Sequence, residues 1–266
     1  MLLRFGKLHC LGDDLMLLDA LGQHVQLNSA MIQQWSRRIQ GVGFRRLVTV
    51  DIPREPEADF DCRVYDRNGS EVPATFVDLC CAARFLHDKR LTNQPVLQLQ
   101  TAAGRVTVHV RGDGWIAAAY SGFDEPVTTG LPDAVQYHLE LLAHRHGLML
   151  SWQAYDKQLL VWADQAPPHR LHRLFQPVMR KLRGWQLLWL HNSQAECVRV
   201  QSWQGEHEPA GHDPARLIAN SVRQNMQQAA VQVEWQQDCL LLEFLPQGSM
   251  QLFTRAWPVY EGQIRL

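Results

Sequence analysis

Ionisable and hydroxyl-bearing side chains gather in two short stretches of this chain, and their types limit the chemistry open to them. The first stretch is Arg67-Asn-Gly-Ser-Glu71-Val-Pro-Ala-Thr75-Phe76-Val77-Asp78, and the second is Gly205-Glu206-His207-Glu-Pro-Ala210-Gly211-His212-Asp213-Pro214. Glu206, His207 and His212, joined by His9, are of the types that exchange protons near neutral pH or hold a metal ion. Their spacing alone gives that reading little support, and solvated histidines are the plainer one. Asp13, Asp66, Asp78 and Asp213 read as turn and cap residues, with a pocket reshaped for a cation as the functional alternative. Asp213 precedes Pro214, the pattern of an N-cap followed by proline at the first helical position, and Asp78 can serve an earlier helix similarly.

The six cysteines, Cys10, Cys62, Cys80, Cys81, Cys197 and Cys239, lack the paired spacing that structural zinc needs, so no metal is expected. Adjacent Cys80 and Cys81 point in different directions and cannot pair without strain, which leaves buried free thiols as the expectation.

The elements that must position these residues follow from patterning. With 266 residues, 46% hydrophobic and 20% charged, the chain can bury one large core or two linked ones. A net charge of -1 with interspersed signs gives no footprint for nucleic acid. No 18-residue apolar run could span a bilayer, and Met1 to Arg4 is too brief for a signal-peptide apolar region, so a cytoplasmic protein is expected. Of nine tryptophans, all but Trp35 lie beyond residue 100, either as core or as a partner surface.

Leu2 to Asp19 reads as a hairpin about a turn at Gly12 to Asp14, followed by a helix capped by Asn28 or Ser29 and ending near Gly41. Strands are expected at Leu47 to Ile52 and Phe60 to Asp66, then an Asn68-Gly69 turn and a buried helix over Asp78 to Asp88. Val96 to Gln100, Arg105 to Val110 and Trp115 to Tyr120 read as three antiparallel strands. After a polar stretch from Asp124 to Asp133, a helix is expected over Val135 to His146 and strands over Leu148 to Trp152 and Leu159 to Ala163. A helix from Pro168 to Leu182 and strands at Gln186 to His191 and Cys197 to Trp203 follow. The chain closes with a helix over Pro214 to Gln228 and strands at Val231 to Trp235, Cys239 to Leu245 and Met250 to Thr254. These halves make residues 1–120, completed by the last strand at about 255–266, one domain, and 121–254 the other.

The motifs then resemble those of the diaminopimelate epimerase family, which belongs to lysine biosynthesis. Leu8-His9-Cys10-Leu11-Gly12-Asp13-Asp14 is similar to its N-terminal Met-His-Gly-Leu-Gly-Asn-Asp, and Asp66-Arg-Asn-Gly69-Ser70-Glu71 to its Asn-Ala-Asp-Gly-Ser-Glu. Gly41-Val-Gly-Phe44, Ala82-Ala83-Arg84-Phe85 and the closing Ala256-Trp-Pro-Val259-Tyr260-Glu-Gly262 continue the resemblance. It is near-continuous over residues 2–115, patchy to about 195, and returns from about 198. It implies an α+β fold of two pseudo-symmetric halves, each a mostly antiparallel sheet wrapped around a central helix. It also implies cofactor-independent epimerisation by two cysteines, one at each central helix N-terminus, on opposite faces of the substrate. Inversion needs a base and an acid there, each with a pKa near the working pH.

In register with those motifs the cysteine positions are Thr75 and Ala210, so no catalytic residue of the family kind is expected. A threonine hydroxyl is a far weaker base than a thiolate, and alanine has no proton to give. Cys81 matches a non-catalytic family cysteine well over one turn further along the helix. The family's Gly-rich Cys-Gly-Asn-Gly and Cys-Gly-Ser-Gly stretches, which let helix N-termini present amides to a carboxylate, correspond to Thr75-Phe76-Val77-Asp78 and Ala210-Gly211-His212-Asp213. Bulky Phe76 and Val77 thus fill the close-approach positions of the first half, and Gly211 survives beside His212 in the second. Two substrate-binding asparagines appear as Asp13 and Asp66 and a glutamine as Arg46, while Glu206 is retained and could bind an amine. The vestigial pocket is thus Asp13, Arg46, Asp66, Thr75, Phe76, Val77, Glu206, His207, Ala210, Gly211 and His212. The resemblance implies no cofactor, and a homodimer or a heterodimer with an active relative. The expected function is a pseudoenzyme that acts by binding a small molecule or a protein. The alternative is an isomerase or lyase of the same superfamily using a non-cysteine base, or a weak amino-acid epimerase.

Overall fold

The computed structural model describes residues 2–23, 26–120, 130–155, 157–170, 173–176, 185–204 and 213–265. The chain divides into two compact units, Met1–Tyr120 with Gln251–Leu266, and Ser121–Met250. Each is an α+β assembly, as the sequence leads one to expect.

The first unit opens with the hairpin of β1 (Leu2–Cys10) and β2 (Asp13–Asp19). Its turn is Leu11-Gly12, both at positive φ, so Asp13 and Asp14 are the first residues of β2 and not turn residues. Helix α1 (Ser29–Ser36) leads to β3 (Arg46–Asp51) and β4 (Phe60–Tyr65), and β5 (Glu71–Val72) adds a short pairing to β4. Helix α2 (Phe76–Asp88) precedes β6 (Val96–Thr101), β7 (Gly104–Val110) and β8 (Ile116–Tyr120). The closing strands β15 (Met250–Thr254) and β16 (Trp257–Arg265) complete a sheet in the order β16-β1-β2-β3-β4-β6-β7-β8-β15. Hairpin-linked neighbours run antiparallel, whereas β2/β3 and β4/β6 run parallel because α1 and α2 carry the chain across.

Helix α2 packs against β1, β2, β3, β7, β8 and β16, so the sheet curls around it from both ends. Phe76 to Ala83 are all buried, as befits a helix surrounded by its own sheet. Close approach requires Gly6 of β1: a Cβ there would stand 2.9 Å from the Phe85 ring. The other face of β1 and β2 carries Leu3, Phe5, Met16 and Leu18 onto Ile32 and Trp35 of α1. That alternation is the period-two signature of a strand covered on both sides.

The second unit repeats the element order. The pair β9 (Leu150–Tyr155) and β10 (Gln158–Ala163), the pair β11 (Gln186–Gln194) and β12 (Cys197–Gln204), helix α4 (Pro214–Asn225) and the pair β13 (Ala230–Trp235) and β14 (Asp238–Phe244) follow one another. They form the order β14-β13-β12-β11-β10-β9, again with parallel steps, β10/β11 and β12/β13, at the crossovers. An extra helix, α3 (Asp133–His146), lays Val135, Leu139 and Leu142 on Leu159, Val161, Leu187 and Trp189.

Several element bounds depart from expectation. Asn28 does cap α1, accepting from the Met31 amide at 2.9 Å, but the helix stops at Ser36 because Arg37 turns extended. Helix α2 starts at Phe76, two residues early, and α4 stops at Asn225. Of the helix expected over 168–182, residues 173–176 are helical and 168–170 are not, while 171–172 and 177–182 lie outside the described residues. The tryptophans of the second unit are buried or half-buried, and the exposed one is Trp257, on β16 of the first unit. Among the described residues no helix is long and apolar enough to cross a membrane.

Candidate functional site at the N-terminus of the central helix

The first unit gathers five of the expected pocket residues around the start of α2. Thr75 is the extended N-cap residue (φ -98°, ψ 169°), which places its backbone N–H and hydroxyl at the helix mouth. Asp78, three positions on, folds back over that mouth. Its Oδ2 accepts from the Thr75 N–H at 2.8 Å and from Thr75 Oγ1 at 2.8 Å. The helix end is therefore answered by an internal carboxylate at the third helical position, not by Asp78 as N-cap, which corrects the sequence expectation.

Arg46, the first residue of β3, reaches the same oxygen from the neighbouring strand, with Nη1 at 2.6 Å from Asp78 Oδ2 and 3.4 Å from Thr75 Oγ1. Asp78 is 1% exposed, so this charge is withdrawn from water and stabilised by three donors on one oxygen. Its other oxygen, Oδ1, is buried with no hydrogen-bond partner among the described residues. Phe76 and Val77, in the helix's first turn, are buried at 0% and 3% exposure and belong to the core.

Asp13 stands nearby at the start of β2 and forms an ion pair with Arg45. Burial pushes the Asp13 carboxyl up, against the pull of Arg45 and Arg46, while the charges of Asp78 and Asp14 add to the rise. The adjacent Asp14 takes a bidentate contact from Arg38 at 2.6 and 2.7 Å and a 2.5 Å contact from buried Lys7. Lys7 also donates to the Gly43 carbonyl, tying the β1–β2 hairpin to the loop before β3. Burial pulls the Lys7 ammonium down, partly countered by Asp14.

Asp66 does not join this group. Its Oδ1 accepts from the Asn68 and Ser70 amides at 2.9 Å each, so it builds the turn around Gly69, which carries φ +80° and where a Cβ would stand 2.5 Å from Ser29 Cα. Glu206, His207, Ala210, Gly211 and His212 lie outside the described residues, as does the proton-relay or metal group imagined from them and His9. At the second unit's helix, Asp213 Oδ1 accepts from the Ala215 amide at 3.0 Å with Pro214 at the first helical position, as expected. Among the described residues no group of three His, Cys, Asp or Glu is placed to hold a metal ion.

The thiols offer no substitute nucleophile at Thr75. Cys10, Cys62, Cys80 and Cys81 are buried thiols that form no disulfide. Burial pushes Cys81 well above its ordinary value, helped by its hydrogen bond with Cys10, and pushes Cys62 up to about 12. Such thiols stay protonated at neutral pH and are poor bases. The sequence reading missed the roles of Lys7, Arg45 and the Asp78-to-Thr75 closure, although the Thr75-Phe-Val-Asp78 spacing is itself a capping-box signal.

None of the known protein-family models matches the chain. The arrangement of its strands and helices is nonetheless that of a class of solved structures. The chain is similar to a phenazine biosynthesis protein of the PhzF family from Enterococcus faecalis, with a TM-score of 0.67 at 11% identity over all of both chains. It is similar also to a hydroxyproline epimerase from Agrobacterium vitis, with a TM-score of 0.62 at 11% identity over 99% of this chain and 92% of that one. In sequence it is 30% identical, over 285 residues and the whole of both chains, to the diaminopimelate epimerase of Stutzerimonas stutzeri (strain A1501). The chain belongs to the diaminopimelate epimerase family.

Proposed function

We propose that this family member does not carry out two-cysteine epimerisation and acts by binding a small molecule or a protein partner. The observation that supports the reading is the closure of the α2 N-terminus by Asp78 on Thr75. A two-base inversion needs a thiolate-like base at that point and free amides to hold a carboxylate. The Thr75 hydroxyl instead donates to a carboxylate, which Arg46 also engages, and a substrate carboxylate arriving there meets a like charge. Ala210, at the second cysteine position of the resemblance, has no acid to give. The same reading takes Asp13, Arg46, Phe76, Val77, Glu206, His207, Gly211 and His212 as remnants of the substrate pocket.

A cytoplasmic dimer, of two copies or with an active relative, fits this role. Its support is the edge strand β16, which exposes Trp257, Val259 and Tyr260 at 43%, 54% and 45%.

The deciding experiment incubates the full-length protein with diaminopimelate in deuterated buffer and follows loss of the α-proton by NMR. The expected result is exchange no faster than in protein-free buffer. Exchange that depends on the protein and disappears in Glu206→Ala would establish single-base catalysis and overturn the proposal.

A further inference from the structure

A cavity of about 350 Å³ opens in the first unit, where the loop after β3 and the β6–β7 turn meet β4. Arg54, Glu55, Asp61, Arg63, Glu71 and Thr101 line it. Asp61 and Arg63 project from β4 on the face opposite Cys62 and Val64, by the alternation of a strand. A volume of this order suits a small metabolite.

Asp61 is the unusual member. It is 8% exposed, yet its carboxylate accepts no side-chain hydrogen bond among the described residues. The nearest cations are Arg54 Nε at 3.4 Å and Arg63 Nε at 3.7 Å, beyond good hydrogen-bond length. Asp51 stands directly opposite it in the β3–β4 ladder, and like charges so placed weaken strand pairing. Burial, Asp51 and Glu71 together push the Asp61 carboxyl up. A buried, loosely paired charge carries a cost that strand pairing alone does not explain.

The formal charges suggest the occupant. Two arginines against Glu55, Asp61 and Glu71 leave an excess of one negative charge, and Asp51 adds another nearby. The complement is a molecule with surplus positive charge that also carries an anionic group for a guanidinium to grip. We propose that this cavity binds a basic α-amino acid, its ammonium groups on Asp61 and Glu71 and its carboxylate on Arg54 and Arg63. The Arg54 side chain is 69% exposed and free to turn toward such a carboxylate. The site is separate from the α2 N-terminus and does not depend on whether Thr75 is catalytically silent.

Isothermal titration of the full-length protein with L-lysine tests this, with cadaverine (no carboxylate) and L-norleucine (no side-chain ammonium) as comparisons. L-Lysine should bind, and each analogue should bind at least roughly tenfold more weakly. Asp61→Asn and Arg63→Gln should each weaken L-lysine binding by a similar factor. Asp61→Asn should melt at or above the wild-type temperature, because it removes the repulsion from Asp51, so lost binding there is not lost fold. Absence of heat at about 10 mM L-lysine would overturn the proposal. So would binding that survives Asp61→Asn, or cadaverine binding as tight as lysine.

Discussion

If Asp78 has taken the place of an external anion at α2, then Asp78 and Arg46 must be energetically coupled, and a double-mutant cycle measures that coupling. The perturbations are Asp78→Asn, Arg46→Met and the two together. Asp78→Asn keeps an acceptor near the Thr75 N–H but removes the charge that Arg46 meets at 2.6 Å. Breaking a fully buried ion pair costs about 3–5 kcal/mol. Arg46 keeps a fifth of its side chain in water, so the cost falls below that range and each single change should cost about 2–3 kcal/mol. The double variant leaves neither charge stranded, so it should cost about 2 kcal/mol less than the sum of the singles. The assay is urea unfolding combined with hydrogen–deuterium exchange of peptides spanning 76–88, since the two units can unfold separately. At about 2 kcal/mol, exchange in α2 should accelerate roughly 30-fold in Asp78→Asn. A coupling below about 0.5 kcal/mol would refute the reasoning, because Asp78 and Arg46 would then be neighbours without a shared role.

Asp14 and His191 should give the same sign of pH dependence, weaker folding as pH falls, in two different pH ranges and from the two units. Burial alone would raise Asp14, but the hydrogen bonds and charges of Arg38 and Lys7 outweigh it and hold the carboxyl below its ordinary 3.8. Its contribution is therefore complete above pH 3.8 and lost as pH falls further, so the destabilisation of Asp14→Asn measured by urea at pH 7 should shrink below that value. His191 is held below its ordinary 6.5 by burial and then by Arg199, against Glu234, so folding should weaken as pH drops below 6.5, and His191→Gln should flatten that slope. A thiol reagent on the native protein should label Cys197 and Cys239, which are partly exposed, much faster than Cys10, Cys62, Cys80 and Cys81; equal rates would contradict the burial described. Gly6→Ala should lower stability by about 1–3 kcal/mol in thermal melts, because its methyl group meets the Phe85 ring.

What was legible in the sequence, and what was not, divides along a physical line. Strands announced themselves as β-rich runs, as in Phe60–Tyr65, whereas the parallel steps, set by helices lying between the paired strands, were not read. Asp213-Pro214 declared its own helix start because a cap is a local event, settled by neighbours in the chain. Helix α1 misled at its end because the Arg38 to Gly43 segment is set by partners far away, Lys7 to the Gly43 carbonyl and Arg38 to Asp14. The closure over α2 was half local and half not. Thr75 and Asp78 lie three apart and could be paired by spacing alone, but the choice of Arg46 as their counter-charge comes from the β2–β3–β4 register, which no local pattern encodes.

That mixture bears on how a site of the proposed kind would be closed. On the proposed reading, a threonine at 75 in place of a cysteine removes a nucleophile and leaves the helix mouth open to any anion. Placing a carboxylate at position 78 fills that mouth from within, and it is tolerable at 1% exposure only because a cation stands across the sheet. Asp78 and Arg46 therefore make sense only together, so a single reversion at either position strands a buried charge or opens an uncompensated helix end. Restoring a thiol by Thr75→Cys alone should accordingly not restore a carboxylate site. The change that reopens it must remove Asp78 and relieve Arg46 in the same step.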